Sequence, residues 1–514
     1  MVGVNAVPAF TSGNFQAPVQ RVSSEVSVRS SCSCGEKPWY EQLADLILGG
    51  GSAGCSGGIH LIGDYDAESD QPDIPENYLD DSPQDERDAI DECEIGTTQQ
   101  SYSGPLETEY IGVCQPQIEE CQETEEGSRW QIIQEETLPS AEICDGLDND
   151  CDGEITDEEW NRTFGGADYD EARSVQQTED GGFILAGYTA SFGAGNADAW
   201  LIKTDSLGNE EWSKTFGGGD SDQAWSVQQT EDGGFILAGN TFSFGAGNAD
   251  AWLIKTDGSG NEEWSRTFDR EGTDDARSVQ QTEDGGFILA GNTFENGDAW
   301  LIKTDDSGNE EWSRTFGGGG ADKARSVQQT RDGGFILAGY TASFGAGNAD
   351  AWLIKTDSLG NEEWSRTFGG TFFDGCFSVQ QTTDSSFILA GSSASFGENG
   401  DVWLIKTDDS GNEEWSRTFG GGGTDEAWSV QQTEDGGFIL AGYTGTDTMG
   451  SWNAWLIRTD HFGNEVWNRT FGERGWDEAL SVQQTEDGSF ILAGFTDSYG
   501  VGSRDAWLIK TCGE

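Results

Sequence analysis

The sequence predicts an all-β protein: a seven-bladed β-propeller of four-stranded blades, preceded by a small disulfide-rich module. Three observations predict it. From Trp160 a unit recurs seven times, with Trp160, Trp212, Trp264, Trp312, Trp364, Trp415 and Trp467 at intervals of 52, 52, 48, 52, 51 and 52 residues. Each unit holds four short β-type runs separated by Gly/Asp/Asn turns and no helical period. Eight of the ten cysteines lie before residue 152, in a polar stretch too poor in large apolar residues to fold on a core alone.

The four runs are SVQQT (strand a), FILAG (b), AWLIKT (c) and EWSRTF (d), with a DG-type turn between a and b and a glycine-rich loop between b and c. One such sheet cannot bury both its faces, whereas neighbours in a ring can, and seven falls within the usual range of blade numbers. The last copy ends at strand c, and the first is preceded by an orphan strand d at 159–164. That orphan is expected to pair with 506–511 and so close the last blade. The arrangement resembles WD40-type propellers, although the GH and WD dipeptides of that family are absent. The wording of the unit is similar to repeats of secreted or surface propellers in archaea and bacteria, which implies fold and location but no chemistry.

Features present in nearly every copy read as structural. The Trp residues of strands c and d are expected to pack blade against blade. An Asp four residues before the SVQQT serine (Asp170 in the first copy, Asp477 in the last) is expected to satisfy loop amides. Variation is more informative. Immediately before that serine stand Arg173, Trp225, Arg277, Arg325, Phe377, Trp428 and Leu480. These side chains are expected to ring one mouth of the central channel, as ligand anchors or as channel filler. The loops "TFFDGC", "ERGWDEA" and "GTDTMGSWN" on the same face also depart from their counterparts. Cys376 replaces the Ala of the other copies and is expected to be buried and unpaired.

The chain carries 94 acidic and 27 basic residues, net −67. Nucleic acid and anionic membrane surfaces, which need a Lys/Arg footprint, are disfavoured. Acid spread along the whole chain suits solubility at high salt. No apolar run approaches 18 residues, so membrane insertion is not expected, and the first 31 residues lack a signal-peptide apolar core.

Between the cysteine-rich stretch and the first repeat lies "DNDCDGEITDEE", residues 148–159. It fits a twelve-residue EF-hand-type Ca²⁺ loop. Asp148, Asp150 and Asp152 fill positions 1, 3 and 5, Gly153 turns at 6, the Glu154 carbonyl serves 7, Thr156 stands at 9 and Glu159 at 12. The bland alternative is a solvated acidic linker. Residues 1–92 form an acidic, cysteine-containing segment, partly linker-like; 93–158 is the stapled metal module and 159–514 the propeller.

"GVCQPQIEECQ…SRW…LPSAEICDGLDNDCDGEITDE", residues 112–158, resembles the MopE-type metal-binding motif of extracellular bacterial and archaeal proteins. Its core, C-D-G-x-D-N-D-C-D-G, is intact at Cys144–Gly153. Two family cysteines are replaced by Ser101 and Ile133, and I-T-D-E stands for the usual V-D-E, so the last ligand falls to Asp157 or Glu159. With Cys144–Cys151 and Cys114–Cys121 expected as disulfides, the remaining donors are hard oxygens, which favour Ca²⁺.

The functional expectation is a non-catalytic binding or adhesion propeller, extracellular or at the cell surface, taking a protein or glycan at the mouth. A self-assembling subunit of a surface layer or filament is one alternative. A polysaccharide lyase or hydrolase is another, disfavoured because only His60 and His461 exist, neither at the mouth, and no copy adds a carboxylate pair.

Overall fold

The computed structural model describes residues 93–103, 105, 110, 113–124, 127–139, 158–270, 272–293, 297–397, 400–445 and 451–513. Every described residue belongs to the unit Asp88–Glu514. Among the described residues no helix is long and apolar enough to cross a membrane.

Strands β1 (Thr98–Ser101), β2 (Gln117–Thr124) and β3 (Gly127–Gln134) form a small antiparallel sheet in that order. Here one expectation is corrected: Cys121 is bonded to Cys93, not to Cys114. Pairing of β1 with β2 sets Gly96 and Thr97 against the Cys121 backbone, with hydrogen bonds of 2.9 Å in both directions, which brings Cys93 alongside. Cys114 precedes Cys121 along a mostly extended run, on the order of 20 Å at about 3.3 Å per residue. A disulfide tolerates only about 7 Å between Cα atoms. Cys114 and Cys512 are both disulfide-bonded as well, and Cys376 is free and buried, as its place in the repeat predicts. Cys144 and Cys151 lie outside the described residues.

The repeats build seven four-stranded antiparallel sheets among the described residues. In the first, β5 (Asp170–Gln177), β6 (Phe183–Thr189), β7 (Asp198–Thr204) and β8 (Glu210–Phe216) lie in sequence order. The pattern continues from β9 (Asp222–Gln229) to the last sheet, β29 (Asp477–Gln484), β30 (Phe490–Thr496) and β31 (Asp505–Thr511). Its fourth strand is β4 (Glu158–Phe164), from the start of the array. The pairs run from Ala506↔Phe164 to Thr511↔Glu158, so the strand that closes the sheet is the one expected, extended by one residue through a bulge after Lys510.

Each sheet buries its faces against its neighbours because strands b and c are apolar on both sides. Ile184, Ala186 and Leu201 of the first sheet meet Val227, Phe235, Leu237 and Trp252 of the second. The last sheet meets the first in the same way, Ile491 and Leu508 against Val175, Phe183 and Leu185. Each fully buried large apolar side chain contributes about 2 kcal/mol, so these interlayers hold the ring. The half-buried strand-d Trp covers their outer end: Trp160 lies 5.9 Å from Phe183 and Trp212 lies 6.0 Å from Phe235.

SVQQT repeats for a reason that packing alone does not give. Strand a is the inner edge of every sheet, and an edge needs partners for its free amides. The serine and first glutamine supply them to the next sheet: Ser174 Oγ accepts from Val227 N (3.2 Å) and Gln176 Oε1 from Gln229 N (2.6 Å). The series ends where it began, with Ser481 and Gln483 serving Val175 and Gln177. The repeated Asp is structural too. Asp170 accepts from Gly166 N and Ser191 Oγ, which ties the d–a loop to the b–c loop, and from the buried Thr189 hydroxyl.

Candidate functional site

In each sheet the register between strands a and b slips by one residue at the same place. Ala172 pairs with Gly187 and Ser174 with Ala186, leaving Arg173 as the extra residue of a β-bulge. The same slip isolates Trp225, Arg277, Arg325, Phe377, Trp428 and Leu480. A bulge re-aims its extra side chain out of the alternation of the strand. Here it turns all seven toward the axis, where they line one cavity of about 210 Å³.

The lining has two arcs. Along one, Trp225 lies between two guanidinium groups, Arg173 at 4.8 Å and Arg277 at 4.0 Å from its ring centroid, and its Nε1 donates to Asn240 Oδ1 at 2.9 Å. Arg325 continues this arc and lies 5.8 Å over Tyr340. Along the other, Phe377 and Trp428 stack at 4.6 Å with 24° between planes, and Leu480 follows. Contacts among the lining residues fix their rotamers before any ligand arrives.

Behind the ring stands a layer of acids not anticipated from the sequence. Glu171 is buried and pairs with Arg173 and, at 2.6 Å, with Arg504. Arg277 pairs with Asp275 at 2.7 Å. Burial holds the Arg277 guanidinium below its ordinary range, with the charges of Arg325 and Arg173 adding to the effect against Asp275. Glu478 is pushed up to about 7, first by burial and then by Glu171 and Glu426, against the pull of Arg173 and Arg504. Its folded pKa lies above its unfolded one. The stability it allows is therefore full below about pH 4.5 and lost as the pH rises towards 7. Glu478→Gln is expected to stabilise the protein increasingly with pH, the gain growing by about 2 kcal/mol between pH 5 and pH 8. Urea unfolding at the two pH values measures this, and an equal effect at both would contradict it.

The divergent loops of this face also meet. Trp452 stacks on Trp476 at 5.1 Å and on Tyr443 at 4.6 Å, and Trp476 remains 45% exposed. Phe372 and Phe373, in the third divergent loop, are exposed as well. At the opposite end the channel opens into a wider cavity of about 630 Å³ lined by Gln, Thr and Glu such as Gln177, Thr178 and Glu179. Its lining is nearly the same in every copy and offers less chemical discrimination.

The six residues Asp148, Asp150, Asp152, Glu154, Thr156 and Asp157 lie outside the described residues; the backbone of Glu159 belongs to β4. Among the described residues a different acidic group can hold a cation. Asp250, Asp269 and Asp274 have oxygens within 4.8 Å of one another, a donor set suited to a hard cation such as Ca²⁺. Burial raises the Asp250 carboxyl, and Asp269 and Asp274 add to the effect. The signal was present in the sequence: "TFDR" places Asp269 where the other six copies have glycine.

No family model matches the chain. A stretch of 174 residues is 26% identical to the regulatory protein FlaEY of Caulobacter vibrioides, covering 31% of this chain and 17% of that protein. Among solved structures, Sqt1 from Chaetomium thermophilum is 12% identical with a TM-score of 0.40, covering 65% of this chain and 83% of its own. The WD40 domain of Pan2 from Neurospora crassa is 11% identical with a TM-score of 0.41, covering 66% and 88%. The fold of this chain is therefore read from its own register, bulges and interlayers, which are those of a propeller-type ring of four-stranded sheets.

Proposed function

We propose that the chain is a non-catalytic, extracellular or cell-surface binding protein: a seven-bladed propeller that takes a protein or glycan partner at the mouth lined by the bulge residues. One observation carries this reading. Seven repeats that keep one framework vary in chemical type at the position that the bulge aims into a common cavity. Arg and aromatic residues in a concave, pre-ordered setting are the usual anchors of binding energy. The lining holds no carboxylate, histidine or hydroxyl nucleophile, so it supports recognition rather than turnover.

Trp225→Ala and Trp428→Ala are each expected to weaken partner binding by about 1 kcal/mol or more, measured on a partner captured with the full chain. Unchanged affinity in both variants would leave the ring as channel filler.

In the same reading the loop at 148–159 binds Ca²⁺ and thereby holds the start of β4, since Glu159 is at once its twelfth position and the neighbour of Trp160. A cation bound only by the closed form adds about 2.7 kcal/mol at a hundredfold excess over its Kd. EDTA is expected to lower the melting temperature and to open residues 145–164 to protease first, and Asp150→Ala to abolish the EDTA effect. No change with EDTA would make the loop an acidic linker. The acidic surface and the cysteine-rich module support an oxidising, salt-rich setting.

A further inference from the structure

The lining of the mouth is one-sided in its hydrogen bonding. Its seven side chains are three Arg, two Trp, one Phe and one Leu, which together offer donors and no conventional acceptor. Three of those donors, Arg173 Nε, Arg325 Nε and Trp428 Nε1, are buried without a hydrogen-bond partner. Trp225 Nε1, by contrast, is satisfied by Asn240. A buried unsatisfied donor costs about 1–3 kcal/mol, so a small rotation that brings these side chains onto an acceptor-bearing occupant is favourable. The cationic side chains are also gathered on one arc, with Asp275 beside Arg277 and Glu171 beside Arg173, so an incoming negative charge meets its complement there.

The two arcs say more about the occupant. The cationic arc from Arg173 to Arg325 faces an apolar arc of Phe377, Trp428 and Leu480 across about 210 Å³, room for a single ring and its acid group rather than a polymer segment. The net charge of −67 repels a polyanion at low salt. One negative charge on a neutral body escapes most of that repulsion.

We propose that this mouth recognises a single carboxylate carried on a sugar ring, the acidic end of an otherwise neutral glycan, with the carboxylate towards Arg173 and Arg325 and the ring over Phe377 and Trp428. The assignment rests on the mouth being the binding site and goes beyond it in naming the ligand chemistry. A planar guanidinium pairs well with a carboxylate, and an aromatic face packs against the apolar C–H face of a sugar. A protein C-terminus would share the carboxylate but not the ring.

The test is calorimetric titration of the full chain with two oligosaccharides that differ only in a terminal glucuronate or glucose, alongside a peptide with a free or amidated C-terminus. The glucuronate-ended sugar is expected to bind at least tenfold more tightly than the glucose-ended one. Arg325→Gln should erase that preference, Arg325→Lys should restore part of it, and Trp428→Ala should weaken both sugars. Equal affinity for the two sugars, with Trp428→Ala still weakening both, would overturn the carboxylate assignment and leave the mouth as the site. A preference for the free-acid peptide over both sugars would overturn the sugar ring. Binding of neither sugar, or binding indifferent to Trp428→Ala in a variant that melts as the parent does, would overturn the mouth itself.

Discussion

Removing residues 1–166 is expected to open the ring, whereas removing 1–157 leaves it closed. The difference is β4. Its loss leaves β31 without the partners that run from Phe164 to Glu158. It also takes Phe164, which is 8% exposed, and Trp160 from the interlayer between last and first sheets. Deleting a buried Phe alone costs about 3–5 kcal/mol, and the unpaired edge adds to it. The shorter chain is therefore expected to be destabilised by about 5 kcal/mol or more relative to the longer one and to aggregate through the bared edge. Comparing the two truncations by thermal melting and light scattering decides it. Equal melting would mean that the ring does not depend on β4.

The second large effect is expected at a glycine. Gly339, the last residue of a FILAG run, faces the bulge in strand a. A Cβ built there falls deep inside contact with the Lys323 carbonyl oxygen and against Ala324 Cα, and the same holds for Gly187 against Glu171. Both obstacles are backbone, so no rotamer change makes room. Gly339→Ala is expected to cost about 3 kcal/mol, at the upper end of overpacking effects, because the strand must shift or the bulge must flatten. Either response withdraws Arg325 from the mouth, so binding at the mouth should fall together with stability. Gly319→Ala, where nothing lies within 4 Å of the added carbon, serves as the neutral comparison. Similar melting of the two variants would show that the bulge is not held by this glycine.

The repeat made most of the architecture legible. Seven copies of four β-type runs, with an orphan strand d at one end, led directly to the pairing of β4 with β31. The positions that ring the mouth were readable as well, because variation at one place in a constant unit marks a site freed from packing. Why they converge was not readable. The bulge depends on a register slip between Ala172 and Ser174, and hydrophobic alternation carries no record of an unpaired residue. The acids behind the ring escaped for a related reason: Glu171, Glu426 and Glu478 occupy a variable strand position that also holds Gln223, Lys323 and Gly375. Only the burial around Glu478 shows why its charge matters. The Cys121 partner was not legible, because cysteine spacing carries no record of the β1–β2 pairing that brings the more distant Cys93 alongside.

The bulge also separates two demands that usually conflict. Residues on either side of it are committed, the Ala before it to the interlayer and the Ser after it to the neighbouring sheet's amide. The bulged residue takes no part in the ladder, and in this chain Arg, Trp, Phe and Leu all occupy it. Recognition can then drift one sheet at a time while the framework stays constant. Duplicating or exchanging a whole unit carries its single reading residue along, so the mouth behaves as a seven-letter word written on an unchanging alphabet of sheets. Two chains with nearly identical repeats can thus present mouths of opposite charge, and likeness across the repeats says little about a shared ligand.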